Sequence, residues 1–219
     1  MTLPVEIMRR EQLQWAHEQL VKNKLIAWTS GNCSVRFGPE AILIKPSGVM
    51  YEDLTEDNYV LVGMDGEYPE GPKPSTDTAS HLYIYRHIED IGAIVHTHSP
   101  AAVACSVYGK TLEATTTEFA DNFGPLVPCA EYAEIGSEAM GAAAVKAMKD
   151  NYQARAVLLA NHGVLTFGGD LREAIKRAVM LEHCCDIMLR ARQFETIRAL
   201  TVGEAWSCHS RYQSYGQPG

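Results

Sequence analysis

The sequence predicts an α/β protein in which helices cover a mixed sheet. Segments with helical spacing of apolar residues alternate with short, strand-like apolar runs along the chain, which is typical of layered α/β proteins. Some strand-like runs follow one another across tight turns, so hairpins interrupt the alternation and antiparallel pairs are expected. With 219 residues, of which 46% are apolar and 21% charged, the chain is long enough to bury a sizeable core.

The first part of the chain predicts one helix and three strands. Apolar residues recur at helical spacing from Val5 to about Asn23. The runs "CSVRF" and "AILIKP" predict two strands joined by a turn at Gly38-Pro39. The run "YVLVGMDGEY" predicts a third strand that enters a turn at Asp65-Gly66.

The remainder predicts four helices and three strands. "STDTASHLYIYRHI" predicts a helix with Ser75 or Thr76 as its N-cap, and the strand "GAIVHTH" follows it. A helix begins at Pro100, and "IGSEAMGAAAVKAMKDNY" predicts another. "RAVLLANHGVLTFG" predicts two strands that are broken at residues 161–163. Asp170 and Glu173 form a capping-box pattern ahead of the long helix "LREAIKRAVMLEHCCDIMLRARQ".

Charge and composition argue against several classes of protein. The net charge of −8 disfavours a nucleic-acid surface, and no apolar run approaches the length of a membrane span. The first twenty residues are charged and amphipathic, unlike a secretory signal. The six cysteines include no C-x-x-C pair, so we interpret them as reduced thiols of a cytoplasmic protein.

Three histidines suggest a metal site. His96 and His98 end an apolar run, and residues two apart in a strand point to the same face. His162 also follows a strand-like run, at a turn before a glycine. Three imidazoles match an open, catalytic divalent site, and Asp77 is the best carboxylate to complete it. Taken singly, each histidine also fits an ordinary polar position, and Asp77 also fits favourable pairing with a helix dipole.

Three short polar stretches predict an anion site. "TSGNCS", "KPSGV" and "PKPSTD" combine glycines, hydroxyls and a helix start, which are features that hold phosphate oxygens. Each stretch alone also fits a common turn. The residues concerned are Gly31, Asn32, Lys45, Ser47, Gly48, Ser75 and Thr76.

Together these motifs resemble the class II aldolase/adducin family. "SGNCS", "IKPSGV", "KPSTDTASH", "IVHTHSP", "NHGVLTFG" and "YGQ" occur in the family's order from about residue 5 to 217, which implies one domain over 1–219. The resemblance implies an α/β/α sandwich around a mainly antiparallel sheet. It also implies a homotetramer with active sites at subunit interfaces, and a divalent metal, usually zinc, with Mn²⁺ or Co²⁺ as substitutes. The implied metal ligands are His96, His98, His162 and Asp77, and the seven residues above would hold the phosphate of a keto-sugar substrate.

Within this family the motifs favour an L-ribulose-5-phosphate 4-epimerase type of activity, which converts its substrate to D-xylulose 5-phosphate by breaking and re-forming a C–C bond. The supporting stretches are "KPSTDT", "ATTTEFADNFG" and "YQSYGQ". By resemblance they assign catalytic roles to Asp77, Thr117, Asp121 and Tyr215. We expect Asp121 to lie in a loop, and Tyr215 to lie in a C-terminal tail that completes a neighbouring subunit's site. Asp121 could instead cap a turn, and Tyr215 could simply pack on a neighbour.

Three alternatives remain open. The stretch "VPCAEYAEIGSEAMGAAAV" is more similar to an aldolase, so a class II sugar-phosphate aldolase of the L-fuculose-1-phosphate type is one. A related decarboxylase acting on 3-oxo-tetronate 4-phosphate is another. The third, from a different class, is a metal-free, adducin-like interaction module. The presence of all three histidines favours an enzyme.

Overall fold

The computed structural model describes residues 4–214, which form seven helices and nine strands. The helices are α1 (Pro4–Lys22), α2 (Thr78–His87), α3 (Pro100–Tyr108), α4 (Thr117–Phe123), α5 (Glu138–Asp150), α6 (Leu171–Ala191) and α7 (Val202–Tyr212). The strands are β1 (Asn32–Phe37), β2 (Ala41–Ile44), β3 (Val60–Gly63), β4 (Ala93–Thr97), β5 (Leu112–Glu113), β6 (Leu126–Val127), β7 (Cys129–Ala130), β8 (Ala156–Leu159) and β9 (Gly163–Gly168). None of the helices in this range is long and apolar enough to cross a membrane.

Seven strands form the central sheet in the order β3-β2-β1-β4-β9-β8-β7. Every neighbouring pair is antiparallel except β7 and β8, which run parallel. The predicted hairpins, β1–β2 and β8–β9, lie within this sheet, and β5 pairs with β6 separately. The prediction of a mainly antiparallel sheet within an α/β fold is therefore confirmed.

Helices cover both faces of the sheet, and strand alternation separates the two cores. In β4, Ile94 packs in a core with residues of α2 and α5, whereas Ala93 and Val95 pack on the opposite face with residues of α1 and α6. A third cluster joins α3, α4 and α6 to β8 and β9 on this opposite side. By the same alternation, His96 belongs to the face that α2 covers.

The chain around Asp121 differs from the expected loop. Residues 117–123 form α4, and the Thr116 side chain caps it by accepting a hydrogen bond from the Phe119 amide. Phe119 is fully buried, so a short amphipathic turn packs into the core where the sequence suggested an irregular loop. The run "TTTEF" has few strong helix formers, which explains why tertiary packing decided its structure.

The region after the last long helix is also more ordered than expected. Thr201 and Glu204 form a capping box that begins α7. Ala205 of α7 is fully buried, and the Trp206 ring lies against Gly124, where an added Cβ would come within 3.2 Å of it. Residues 202–212 therefore dock on α4 of the same chain. Tyr215 lies outside the described residues.

Candidate active site

The three predicted histidines meet at one end of the sheet. His96 is the fourth residue of β4, His98 follows that strand, and His162 occupies the turn between β8 and β9. Antiparallel pairing of β4 with β9 brings the end of β4 beside the start of β9. The ligand nitrogens of the three imidazoles all lie within 4.8 Å of one another.

The position after His162 leaves no room for a side chain, which explains why it is a glycine, Gly163. A Cβ at this position would lie 2.6 Å from the Thr97 carbonyl oxygen and 3.1 Å from Cε1 of His96. It would also lie 3.4 Å from Cδ2 of His98. Any larger residue would therefore press on two of the three imidazoles. Asn161, just before, has a φ of 58°, a left-handed conformation that asparagine tolerates better than most residues.

Several features of the three imidazoles favour metal binding. Nδ1 of His96 lies 3.0 Å from the Val164 carbonyl oxygen, so it donates its proton there, and the Nε2 lone pair lies 2.9 Å from Nε2 of His98. Burial lowers the pKa of His96 to about 4. Burial also lowers the pKa of His98 and the pKa of His162. Neutral, convergent imidazoles fit a divalent ion of the zinc type.

Asp77 lies beside the histidines, immediately before α2. Its Oδ2 is 4.0 Å from Nε2 of His96 and accepts a 2.7 Å hydrogen bond from Nδ2 of Asn32. Burial alone would raise the pKa of this carboxyl group. The His96 and His81 imidazoles and the Asn32 amide outweigh burial and hold that pKa below its ordinary value. Asp77 itself occupies the N-cap position, in place of the expected Ser75 or Thr76, but its side chain makes no capping hydrogen bond.

All seven residues of the predicted phosphate site line a single cavity of about 370 Å³. Asp77, His98 and His162 line the same cavity. Two backbone hydrogen bonds of 2.9 Å, from Ser47 to the Lys73 carbonyl and from Ser75 to the Lys45 carbonyl, hold two of the polar stretches side by side. The hydroxyls and glycines therefore gather beside the histidines.

Lys45 is in the cavity wall, but its ammonium group is largely engaged. Nζ donates to the Val49 carbonyl at 2.7 Å and to the Pro46 carbonyl at 3.3 Å, and it lies 5.0 Å from the centre of the Tyr51 ring. Burial lowers the pKa of Lys45. These contacts fix the turn that presents Ser47 and the adjacent glycine.

The residues assigned to acid/base chemistry are not all brought together. Thr117 and Asp121 lie on α4 and are not among the described residues that line the cavity. Asp121 instead lines a separate depression with Lys176 and Tyr212. Ile135 also lines the cavity, as do Thr29 and Ser30, which belong to the stretch "TSGNCS" but were not assigned to the phosphate site individually. Thr29 and Ser30 directly precede Gly31, and this adjacency is a signal that could have found them.

Comparisons with known proteins define the family. The family model described as "Class II Aldolase and Adducin N-terminal domain" matches residues 11–189. The chain therefore belongs to the class II aldolase/adducin family, as its motifs predicted.

Three relatives are similar over nearly their whole length. A 5-deoxy-D-ribulose 1-phosphate aldolase of Bacillus thuringiensis serovar kurstaki is 34% identical over 95% of this chain and 97% of its own. A 5-methylthioribulose-1-phosphate/5-deoxyribulose-1-phosphate aldolase of Rhodospirillum rubrum is 31% identical, covering 96% and 93%. The solved structure of an L-fuculose 1-phosphate aldolase superposes with a TM-score of 0.88 at 30% identity, covering 97% and 98%.

These relatives change the balance among the predicted activities. All three are named as aldolases, which supports the aldolase that the sequence left as an alternative. They give no support to the preferred 4-epimerase. The protein is thus an enzyme of the class II aldolase family, a family that depends on divalent metal, and its histidine triad can hold such an ion.

Proposed function

We propose that the protein is a metal-dependent aldolase that cleaves a ketose 1-phosphate reversibly into dihydroxyacetone phosphate and an aldehyde. The observation that carries the proposal is one cavity whose walls combine convergent neutral imidazoles, a carboxylate, and a ring of hydroxyls and glycines. Relatives at 34% and 31% identity act on 5-deoxyribulose 1-phosphate by name, so ketoses with a short, uncharged end are the first substrates to test.

Ser47, Ser75 and Thr76 bind the phosphate in this proposal. Their hydroxyls donate to its oxygens, and Gly31 and Gly48 let the backbone approach closely, since both adopt a positive φ, of 75° and 71°. The phosphate then anchors the sugar with its keto group toward the histidines. These contacts persist throughout the reaction, so they contribute binding more than rate.

His96, His98 and His162 would hold the metal, for which we propose Zn²⁺, with Mn²⁺ or Co²⁺ as substitutes. A bound divalent cation supplies Lewis acidity that stabilises negative charge on the keto oxygen when the C–C bond breaks. The chain must also take a proton from the hydroxyl on C4, so that the C3–C4 bond breaks and the aldehyde forms. It must then deliver a proton to C3 to give dihydroxyacetone phosphate.

Asp77 is the group that we assign to this proton transfer. Its carboxylate lines the cavity, and the depressed pKa keeps it ionised at neutral pH and able to accept a proton. Its Oδ1 has no hydrogen-bond partner within residues 4–214, whereas Oδ2 is engaged by Asn32. Asn32 therefore holds one carboxylate oxygen, and the other is buried without a protein partner in the described part of the chain.

Product analysis tests the proposal directly. Purified, metal-loaded protein is given 5-deoxyribulose 1-phosphate, L-fuculose 1-phosphate, L-ribulose 5-phosphate and 3-oxo-tetronate 4-phosphate in turn. We expect dihydroxyacetone phosphate from at least one of the two 1-phosphates. Exclusive formation of D-xylulose 5-phosphate from the third substrate would establish the epimerase instead, and carbon dioxide from the fourth the decarboxylase. A protein that binds no metal and cleaves nothing would be an interaction module.

The homotetramer remains part of the proposal, with the whole chain 1–219 acting as one cytoplasmic domain. Tyr215 and Asp121 would then act at a site completed by a neighbouring subunit. We expect Tyr215→Phe and Asp121→Asn proteins to be weakly active separately and to regain part of their activity when their subunits are exchanged. Fully active single variants would remove both residues from the mechanism, and exchanged tetramers with no recovery would refute a site shared between subunits.

A further inference from the structure

The buried side of α2 carries a polar stripe where an apolar one is usual. Asp77, His81 and Tyr85 follow at intervals of four residues, so they lie on one face of the helix. That face packs against β1, where Ser34 contacts both His81 and Tyr85. His81 and Ser34 are fully buried, and Tyr85 is 2% exposed. The proposed function assigns no role to His81 or Tyr85, and His81 is the one of the two that lies next to Asp77 along this face.

A chain of hydrogen bonds runs along the stripe. The Ser34 hydroxyl oxygen lies 2.9 Å from the Tyr85 hydroxyl and 2.8 Å from Nδ1 of His81. Burial lowers the pKa of His81 to about 4, so its ring is neutral and carries one N–H. Burial raises the pKa of the Tyr85 phenol, which therefore keeps its proton. The hydrogen bonds that join Tyr85, Ser34 and His81 must consequently all run in one direction, either from Tyr85 toward His81 or from His81 toward Tyr85.

The charge of Asp77 selects the direction. A neutral ring places either an N–H or a lone pair at Nε2, and the ionised Asp77 carboxylate, one helical turn away, favours the N–H. Nδ1 is then an acceptor from the Ser34 hydroxyl, and Ser34 in turn accepts from Tyr85. The chain thus ends with the Nε2–H of His81 on the side of the catalytic carboxylate.

Three buried atoms at this end have no hydrogen-bond partner within residues 4–214. They are Nε2 of His81, Oδ1 of Asp77 and Oδ1 of Asn32. Their side chains are contiguous, because Asn32 donates to Asp77 at 2.7 Å and Asp77 and His81 share a helix face. Leaving buried polar atoms unpaired is costly, and the set contains one donor and two acceptors. One water, which accepts once and donates twice, matches that set and the usual hydrogen-bond number of a buried water.

We propose that His81 is a positioning residue that fixes the reacting carboxylate of Asp77 through one buried water shared with Asn32. The inference rests on the proposed function, because it assigns His81 a role only through Asp77. His81 donates to the water, and the water donates to Oδ1 of Asp77 and to Oδ1 of Asn32. With Oδ2 held by Asn32 and one side of Oδ1 held by the water, the carboxylate cannot rotate away from the cavity.

The wild-type protein provides a test that needs no activity. In metal-free, ¹⁵N-labelled protein, nitrogen shifts of the His81 ring identify which nitrogen is protonated. We expect the proton on Nε2. A crystal structure at high resolution should also contain a water within hydrogen-bonding distance of His81, Asp77 and Asn32. A proton on Nδ1, or no water at this position, would overturn the proposal.

Two substitutions separate positioning from packing. His81→Gln places a donor near the position of Nε2, whereas His81→Asn keeps a polar group near Nδ1 and lacks the donor toward Asp77. We expect His81→Asn to lower kcat by about 10- to 100-fold, as loss of a supporting hydrogen bond typically does, with KM and metal content little changed. His81→Gln should recover most of kcat. Equal loss in both variants would assign His81 to packing alone.

The outcomes also distinguish this inference from the proposed function. If wild-type protein fails to cleave any ketose 1-phosphate while the Nε2 proton and the water are observed, the proposed function falls and the arrangement of His81 stands. If wild-type protein is an aldolase and His81→Asn retains full kcat, the positioning role falls and the proposed function stands.

Discussion

Acidification should weaken the fold, because His17 is buried in a neutral form. Nδ1 of His17 lies 2.8 Å from the Leu13 carbonyl oxygen, so it donates there, and Nε2 accepts a hydrogen bond from the Cys33 amide at 3.1 Å. The ring stacks on Tyr59 with centroids 5.3 Å apart and joins α1 to the start of β1. Burial, with the added repulsion of Lys45, lowers its pKa from 6.5 to about 3.

This pKa determines both the sign and the size of the effect. The unfolded chain binds a proton at His17 below about pH 6.5, whereas the folded chain binds it only near pH 3. The stability contributed by the neutral ring is therefore complete above pH 6.5 and is lost progressively as the pH falls toward 3. At about 1.4 kcal/mol for each pH unit of difference between the two pKa values, the full loss is roughly 5 kcal/mol.

Urea unfolding of metal-free protein at a series of pH values measures this loss. Between about pH 6 and pH 4.5 the free energy of unfolding of a His17→Gln protein should fall less steeply than that of wild type, by about 1.4 kcal/mol per pH unit, which is one proton. Glutamine can still accept from the Cys33 amide, so the variant should fold. His87→Gln is a matched control, because this histidine is exposed on α2. An unchanged slope in His17→Gln would refute the reasoning.

Further predictions concern the site. Gly163→Ala should reduce metal content and activity together, because the new Cβ would lie 2.6 Å from the Thr97 carbonyl and press on the imidazoles. Gly203→Ala, where no atom of residues 4–214 lies within 4 Å of the added Cβ, is the control and should leave metal content unchanged in the same elemental analysis. His98→Asn should lose most bound metal, and a stoichiometric ion in that variant would contradict the ligand assignment. Ser47→Ala should raise KM for the phosphorylated substrate more than it lowers kcat, whereas equal turnover of the unphosphorylated sugar would show that the phosphate contacts are misassigned.

The histidine cluster was predictable because it follows from the two-residue periodicity of a strand and from the position of one turn. Residues 96 and 98 of a strand must share a face, and a histidine in the turn of the next hairpin reaches the same sheet edge once the strands pair. The gathering of the seven proposed phosphate-binding residues around one cavity was predictable for a similar reason, since glycine and hydroxyl residues mark turns. The long helices α1 and α6 also match their predicted positions closely, and α6 does so because it carries a sustained apolar periodicity.

Asp121 was harder to place because its surroundings depend on distant residues. Its segment has little intrinsic helix preference, and it becomes α4 by burying Phe119 and by packing on α7, more than 80 positions along the chain. The sequence of residues 117–123 alone does not indicate this contact with α7. The resemblance to an epimerase loop therefore assigned a catalytic role to Asp121. In the described part of a single chain, however, Asp121 lines a depression that is separate from the cavity beside the histidines.

The polar stripe of α2 was hidden for a different reason. Helical periodicity divides residues into faces, and the usual rule assigns the polar face to solvent. In the sequence, Asp77, His81 and Tyr85 form a polar face that the rule would assign to solvent. In the structure this face is buried, because Asn32 and Ser34 of β1 hydrogen-bond to it. A buried polar face is stable only when almost every atom on it is paired, and hydrogen bonds here join Tyr85, Ser34 and His81, whose Nε2 has no partner within residues 4–214. In our proposal a water joins this nitrogen to the Asp77 carboxylate, so the contacts that stabilise the helix on the sheet would also orient the group to which we assign the proton transfer.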